Sequence, residues 1–207
     1  MNPHLPLPRN QPALVIVSGA PGAGKTTLAS KIAEQLHLPL LCKDELKEAL
    51  YDVLGSPDPD YSRRIGMAAY GVLYALLRRL LDAGVGAVAE GNFYRGWSEE
   101  NLAPFVARAR TVLVHCHAPP DVIVRRYVAR AERGERHSGH HDVAVVPRLQ
   151  QTLRDGSFEP LTLGVPTLLV DTTDGYTPGL PEILAFLRQH LARPSAQARG
   201  GDTGDYC

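Results

Sequence analysis

Residues 18–28 read SGAPGAGKTTL and follow the apolar run ALVIV at residues 13–17. The spacing G-x4-G-K-T, which starts at Gly19, fits the pattern of a phosphate-binding loop. The pattern also has its required setting, because a buried strand is expected before it and a helical pattern follows it. This stretch therefore predicts an α/β fold that begins with a strand, a phosphate-binding loop and a helix.

Each residue type in this loop suits the binding of a phosphate chain. Glycines leave room for backbone N–H groups to surround the phosphates, and the positive end of the following helix points at them. Lys25 is expected to contact the β- and γ-phosphates, and the hydroxyl of Thr26 is expected to ligate Mg²⁺. The predicted nucleotide-binding residues are Gly19, Ala20, Pro21, Gly22, Ala23, Gly24, Lys25, Thr26 and Thr27.

The composition favours one soluble globular domain. The chain has 207 residues, and its 22 basic and 22 acidic side chains balance, so no overall positive field points to nucleic-acid binding. Its three cysteines form no CxxC pair, and no apolar run reaches the length of about 18 residues that a membrane span needs. We predict a cytoplasmic protein, monomeric or homodimeric, without a membrane or nucleic-acid partner.

Apolar strand patterns alternate with helical patterns along the rest of the chain. This alternation indicates a parallel sheet that is covered by helices on both faces, and we predict five strands in a three-layer domain over residues 13–191. Residues 1–12 are predicted to be a flexible leader and residues 192–207 a disordered tail, because neither has an apolar face. The predicted strands cover residues 13–18, 39–43, 85–93, 111–118 and 165–171.

The remaining motifs separate the classes of protein that share such a loop. The chain lacks the Asn-Lys-x-Asp guanine reader of a GTPase, and its predicted fourth strand ends in HCHA instead of the acid typical of mechanical ATPases. The predicted third strand ends in an acid, Glu90, within AVAEGNF. This combination favours a kinase.

Four stretches together resemble the small P-loop kinases, namely SGAPGAGKTTLA, CKDELKEAL, EGNF and RRYVARAERGERHSGHHD. That superfamily includes chloramphenicol phosphotransferase, gluconate kinase, the zeta toxins and polynucleotide kinase, and the likeness is greatest to its group of predicted kinases with mostly unassigned substrates. The resemblance covers residues 13–191. It implies ATP and Mg²⁺ as cofactors, an arginine-rich lid at about residues 133–142, and an adenine site at residues 171–174.

Asp44 follows the predicted second strand. In the related kinases the acid at this position often serves as the base for the attacking hydroxyl, and Asp44 matches it. The role is physically reasonable, because the carboxyl ends of neighbouring parallel strands open on the same edge of the sheet as the phosphate loop. The alternative is that Asp44 is only the N-cap of the helix that follows it.

Glu90 and Asn92 lie at the end of the predicted third strand. Together with Asp44 they are predicted to bind the acceptor, and either of them could instead hold Mg²⁺ through water. A further alternative is that Glu90 only caps the following turn. The aromatic residues beyond them form either a wall of the acceptor pocket or the packing of the loop; they are Phe93, Tyr94 and Trp97.

Arg126, Arg130 and Arg133 are spaced by four and three residues, which places them on one face of a predicted helix, with Arg125 and Arg136 beside them. Such an arrangement suits the charge of a transferring phosphoryl group, and related kinases carry arginines at the edge of a mobile lid. A solvated helix face paired with nearby glutamates is the alternative. The predicted catalytic residues are Lys25, Asp44, Arg126, Arg130 and Arg133, with Arg130 foremost among the arginines.

A histidine-rich segment follows the arginines, with His137, His140, His141 and Asp142 close together. Their spacing fits no regular zinc pattern and no cysteine joins them, so contacts of the lid or exposure to solvent are expected in preference to a metal site.

The sequence thus predicts an ATP- and Mg²⁺-dependent kinase that transfers the γ-phosphate to a hydroxyl group of a small molecule. Nucleosides, sugars, sugar acids and antibiotics are all candidate acceptors. Two alternatives remain at this point, a nucleotide-dependent toxin-like or regulatory binding module and a kinase of nucleic-acid 5′-ends.

Overall fold

Five short apolar segments form the strands of one parallel sheet in the computed structural model of the chain. Their order across the sheet is β2-β3-β1-β4-β5. The predicted five-stranded parallel sheet is confirmed. The strands are β1 (Ala13–Ser18), β2 (Leu40–Cys42), β3 (Ala87–Glu90), β4 (Arg110–His117) and β5 (Thr167–Asp171).

The structure describes residues 11–134 and 137–192, with the backbone alone for Asp142 and Val143. The predicted leader and tail therefore lie outside the described residues, apart from residues 11, 12 and 192, and Arg136 lies outside them as well. None of the helices within the described ranges combines the length and the apolar character needed to cross a bilayer.

Helices cover both faces of the sheet, as predicted. Alternate residues of β1 point to opposite faces, so Val15 and Val17 join one apolar core while Leu14 and Ile16 join the other. The first core contains α1, α5, α6 and α7, and the second contains α3 and α4. The helices are α1 (Lys25–Leu36), α2 (Lys43–Leu54), α3 (Pro59–Asp82), α4 (Ser98–Val106), α5 (Pro120–Glu132), α6 (Asp142–Arg154) and α7 (Leu180–Leu191).

The sequence SPDPDY at residues 56–61 is typical of a loop, and the apolar helical period begins only after it and predicts a helix from residue 63, but α3 begins earlier. The carboxylate of Asp58 accepts a hydrogen bond from the backbone N–H of Tyr61 at 2.7 Å, and Pro59 takes the first helical position. An aspartate cap followed by proline is a strong start signal for a helix, so α3 begins four residues earlier.

The ends of two other elements also differ from the prediction. The expected strand at residues 85–93 is only four residues long, because the chain bends out of the sheet at Gly91. Helix α5 ends at Glu132, and Gly134 follows it in the left-handed conformation, with φ of 63°. Arg133 therefore lies beyond the last residue of the helix instead of on its face.

Candidate active site

The loop between β1 and α1 has a shape that only glycine permits at two of its positions. Gly19 has φ of 137°, and a Cβ atom there would lie 2.1 Å from the carbonyl oxygen of Cys116. Gly22 has φ of 86°, and its Cβ would lie 2.9 Å from the carbonyl oxygen of Ile123. The loop thus presents bare backbone at the N-terminus of α1, which is the arrangement that binds a phosphate chain.

We expect Gly19→Ala to destabilise the protein by roughly 2 to 6 kcal/mol, because it combines a strained φ with a clash against fixed backbone. Urea unfolding would measure the loss. Gly71→Ala in α3 is the matched control, because a Cβ there meets nothing within 4 Å. The control should be stabilised by roughly 0.5 to 1 kcal/mol, since alanine favours a helix over glycine. Equal stability of the two variants would contradict the account of this loop.

Lys25 and Glu90 form a buried pair behind the loop. The ammonium group of Lys25 donates a hydrogen bond to the carbonyl oxygen of Ala20 at 2.8 Å and lies 3.9 Å from Oε1 of Glu90. The thiol of Cys42 donates to Oε2 of Glu90 at 2.8 Å. Burial lowers the pKa of Lys25 and raises that of Glu90, and the opposite charge of each partner counteracts these shifts. The end of β3 therefore supplies the carboxylate that holds Lys25 beneath the loop.

Asp44 is not the N-cap of α2, which corrects that part of the prediction. Helix α2 begins at Lys43, its N-cap is Cys42, and Asp44 is the second helical residue. The carboxylate of Asp44 lies 3.0 Å from the ammonium group of Lys43 and is 31% exposed. Its negative charge raises the pKa of both Lys25 and Glu90. Asp44 thus lies close to the phosphate loop, partly open to solvent, where a reacting hydroxyl could reach it.

A cleft of about 320 Å³ opens beside the phosphate loop. Pro21 of the loop, Asp44 of α2 and Asn92 after β3 all line it, together with residues of α3 and α6. Two of the three residues predicted to bind the acceptor are therefore brought together. The third, Glu90, is buried against Lys25 and Cys42 instead.

The aromatic residues after β3 divide between the two predicted alternatives. Tyr94 lines the cleft and packs against Phe158, with ring centroids 5.1 Å apart. Phe93 is fully buried in the core, and Trp97 packs edge-on against Tyr70 at 5.7 Å. Tyr94 thus forms part of the wall, whereas Phe93 and Trp97 serve the packing of the loop.

Tyr70 of α3 is a cleft residue that the sequence analysis missed. Its hydroxyl donates a hydrogen bond to the carbonyl oxygen of Asn92 at 2.7 Å, which fastens the loop after β3 to α3. Its apolar ring fits the helical periodicity of a core position, so the sequence offered no sign of this second role.

Arg130 lies half-buried on α5, with its guanidinium carbon 5.8 Å from the ring centroid of Tyr127, a residue that lines the cleft. Beside the larger effect of burial, the positive charge of Arg130 contributes to the lowered pKa of Lys25. Arg133 lies at the exposed end of α5. The catalytic roles of both arginines stay predictions.

Arg126 contacts a different part of the structure from Arg130. Its guanidinium donates hydrogen bonds to the carbonyl oxygens of Thr172 and Thr173, at 2.7 and 2.9 Å. These residues follow β5, in the segment that the family resemblance marks as the adenine site. Arg126 therefore connects α5 to this segment, and its predicted catalytic role stays a prediction.

The histidines attach the segment after α5 to α2 and to the loop that follows it. Nε2 of His140 lies 2.8 Å from Oε1 of Glu48, and Nε2 of His137 lies 3.3 Å from Oδ1 of Asp52. The ring of His141 hydrogen-bonds the carbonyl oxygen of Ser56. Among the side chains that the structure describes, which exclude that of Asp142, no group of three or more could hold a metal ion.

Comparison with known proteins supports the fold and identifies the family. A family model described as an AAA domain, AAA_33, matches residues 14–154. The crystal structure of a presumed kinase from Chloroflexus aurantiacus is 36% identical in sequence, with a TM-score of 0.76, over 88% of this chain and all of that chain.

Curated relatives match over a shorter part of the chain. An uncharacterised protein of Mycobacterium tuberculosis is 30% identical over 57% of this chain and 26% of its own length, so the chain spans about a quarter of that relative. A shikimate kinase of Enterococcus faecalis is 25% identical over 57% of this chain and 67% of its own length. Because the family model covers more than half of the sequence, the chain belongs to the AAA_33 family of P-loop kinases.

Proposed function

We propose that the protein is an ATP- and Mg²⁺-dependent kinase that transfers the γ-phosphate to a hydroxyl group of a small molecule. One observation carries this proposal: the partly exposed Asp44 and Pro21 of the phosphate loop line the same cleft. The kinase relatives support the reaction class, and the cleft volume of about 320 Å³ suits a small acceptor.

The phosphate loop fits a nucleotide triphosphate with Mg²⁺. Its bare backbone can surround the phosphates, and Lys25 lies directly behind it. The hydroxyl of Thr26, exposed at the first turn of α1, would ligate Mg²⁺. When bound, Mg²⁺ neutralises the charge that develops on the β- and γ-phosphates. On nucleotide binding the ammonium group of Lys25 gains phosphate oxygens as partners beside the carboxylate of Glu90.

Asp44 then acts as the base and Arg130 as a charge stabiliser. An acceptor hydroxyl in the cleft donates its proton to the carboxylate of Asp44 as its oxygen forms a bond to the γ-phosphorus. The bond between that phosphorus and the β–γ bridging oxygen breaks, and ADP leaves. Lys25 and Arg130 stabilise the negative charge on the phosphoryl oxygens, which is the larger part of catalysis in this kind of transfer. Residues 137–141, held against α2 by their histidines, cover the side of the cleft where His140 lies.

The nucleotide part of the proposal is tested by thermal stability. At an ATP concentration about 100 times Kd, with Mg²⁺, the melting temperature should rise by roughly 5 to 10 °C. Lys25→Met should lose most of this rise, because it removes the cation behind the phosphates. Lys31→Met in the same helix is the control, since Lys31 is exposed and its ammonium group lies over the ring of Tyr176. An equal rise in all three proteins would contradict the assignment of the loop.

ADP formation tests the transfer itself and separates the kinase from a binding module. A kinase should form ADP faster when a suitable hydroxyl compound is added, and the phosphorylated product should be detectable by mass spectrometry. A regulatory binding module would bind ATP, and the same panel of nucleosides, sugars, sugar acids and antibiotics would leave its basal hydrolysis unchanged. That second outcome would contradict the kinase proposal but would leave the proposal of nucleotide binding unaffected.

A further inference from the structure

The carboxylate behind the phosphate loop receives its hydrogen bond from a cysteine. Cys42 ends β2 and Glu90 ends β3, and the two residues are register partners in neighbouring parallel strands. Their side chains therefore lie on the same face of the sheet, where Sγ of Cys42 is 2.8 Å from Oε2 of Glu90. Because the sheet fixes both backbone positions, the fold itself sets this contact.

Both residues of this pair are almost completely buried, with 3% of each exposed. A buried carboxylate needs hydrogen-bond donors. Among the described residues, the thiol of Cys42 donates the only hydrogen bond to the side chain of Glu90. Burial, and after it the negative charge of Glu90, raises the pKa of this thiol, so the thiol keeps its proton and remains a donor. The orientation of the carboxylate therefore depends on Cys42.

The other oxygen of Glu90 faces the lysine of the phosphate loop. Oε1 lies 3.9 Å from Nζ of Lys25, which is an ion-pair distance but too long for a hydrogen bond. The ammonium group donates instead to the carbonyl oxygen of Ala20, within the loop, at 2.8 Å. Glu90 thus attracts Lys25 without binding it directly, and the ammonium group stays at the loop.

Loss of the thiol would change this division of partners. A buried carboxylate oxygen that loses its donor is costly, so Glu90 would seek another. Within the described part of the chain, Lys25 is the only cation that forms an ion pair with Glu90. The carboxylate would then draw the ammonium group into a direct hydrogen bond. An ammonium group has three N–H donors, and each one given to Glu90 is lost to the phosphates.

We propose that Cys42 is a positioning residue for nucleotide binding, whose thiol holds the carboxylate of Glu90 so that Lys25 stays at the phosphate loop. The role acts through Glu90 and needs no contact between the thiol and the nucleotide. It rests on the nucleotide-binding part of the proposed function. It extends that function to a residue outside the cleft, since the described lining residues do not include Cys42.

Two substitutions of Cys42 separate its hydrogen bond from its packing. Serine keeps a donor of nearly the same shape, whereas valine keeps a buried apolar side chain and has no donor. In calorimetric titrations with ATP and Mg²⁺, Cys42→Ser should bind within about 2-fold of the wild type, and Cys42→Val should bind roughly 3- to 10-fold more weakly. A packing role predicts the opposite order, because a hydroxyl is costly among apolar neighbours. The opposite order, or equal affinities, would overturn the inference.

Urea unfolding of the same variants shows whether they fold, but stability alone does not decide the role. Cys42 is the N-cap of α2, and serine is a favoured N-cap residue, so Cys42→Ser gains stability for a reason unrelated to Glu90. Affinity for ATP is therefore the deciding measurement.

A double-mutant cycle tests whether residue 42 acts through Glu90. In a Glu90→Met background, the difference in ATP affinity between serine and valine at position 42 should disappear, because methionine offers no oxygen to the hydroxyl. A difference that persists unchanged would mean that residue 42 acts by another route, and the inference would be wrong.

The infrared S–H stretching band gives a readout in the wild-type protein. The band of Cys42, identified by its loss in Cys42→Ser, should lie at a lower frequency than that of a free thiol, because a hydrogen bond to a carboxylate weakens the S–H bond. A band at the free-thiol frequency would contradict the inference.

Failure of this inference can be told apart from failure of the proposed function. If the wild-type protein does not bind ATP with Mg²⁺, the proposed function fails and the role of Cys42 fails with it. If the wild-type protein binds ATP and the serine and valine variants bind it equally well, only the role of Cys42 is wrong.

Discussion

Asp44→Asn should reduce phosphoryl transfer to the acceptor by roughly 10²- to 10⁴-fold, because asparagine cannot take the proton of the attacking hydroxyl. The fold should survive, since the N-cap of α2 is Cys42 and the substitution keeps the size of the side chain. Affinity for ATP should change little, because Asp44 lines the cleft beside the phosphate loop and is not part of the loop itself. The measurement is the rate of acceptor phosphorylation, beside the melting temperature with and without ATP.

Glu45→Gln is a close control for Asp44→Asn. Glu45 lies in the same first turn of α2 and carries the same charge, but it is exposed and does not line the cleft. Loss of either acid weakens the interaction with the helix dipole by a similar small amount. We expect near-normal transfer by Glu45→Gln. Near-normal transfer by folded Asp44→Asn would remove Asp44 from the mechanism and leave it as a partner of Lys43.

Arg130→Ala should lower the turnover rate by roughly 10²- to 10³-fold while changing ATP affinity far less. The reason is that a guanidinium group suits the negative charge that is redistributed among the phosphoryl oxygens during transfer, and the charge of Arg130 has an influence on Lys25. Turnover at saturating substrates, together with ATP binding measured by titration calorimetry, would separate the two effects. Equal losses of turnover and affinity would indicate that Arg130 binds the ground state instead.

Two other arginines of α5 provide contrasts to Arg130. Arg125→Ala should leave both parameters almost unchanged, because Arg125 is exposed and its nearest described acid, Asp121, is 4.0 Å away. Arg126→Ala should act in the opposite manner to Arg130→Ala and mainly weaken ATP binding, because Arg126 holds the carbonyl groups of Thr172 and Thr173. Similar kinetics in all three variants would mean that the helix contributes only general positive charge.

The order of strands and helices could be predicted from the sequence because the signals are local. Each apolar strand and each helical period is set by residues within one segment. The glycines of the phosphate loop are likewise a local signal, because each adopts a positive φ at its own position. A predicted helix boundary was wrong where a local start signal received too little weight. The Asp58-Pro59 pair that begins α3 is an example, since it lies inside a stretch rich in turn residues.

The arginines show why the site was only partly predictable. Spacing by four and three residues places side chains on one face of a helix, but it does not determine what that face contacts. Arg126 donates hydrogen bonds to the loop after β5, a contact between segments 46 residues apart in the chain. Arg133 lies beyond the helix, because α5 ends at Glu132 and Gly134 follows in the left-handed conformation.

By itself, the sequence determined the phosphate loop and the five-stranded parallel sheet, because each strand, loop and helical period is set by residues close together along the chain. Only the tertiary structure decided which residues line the cleft. Lys47 looks like a solvated helix residue, Gly66 like a weak point in a helix and Tyr70 like a core aromatic. Packing of α2 against α3 brings the three together in the wall of the cleft beside the phosphate loop.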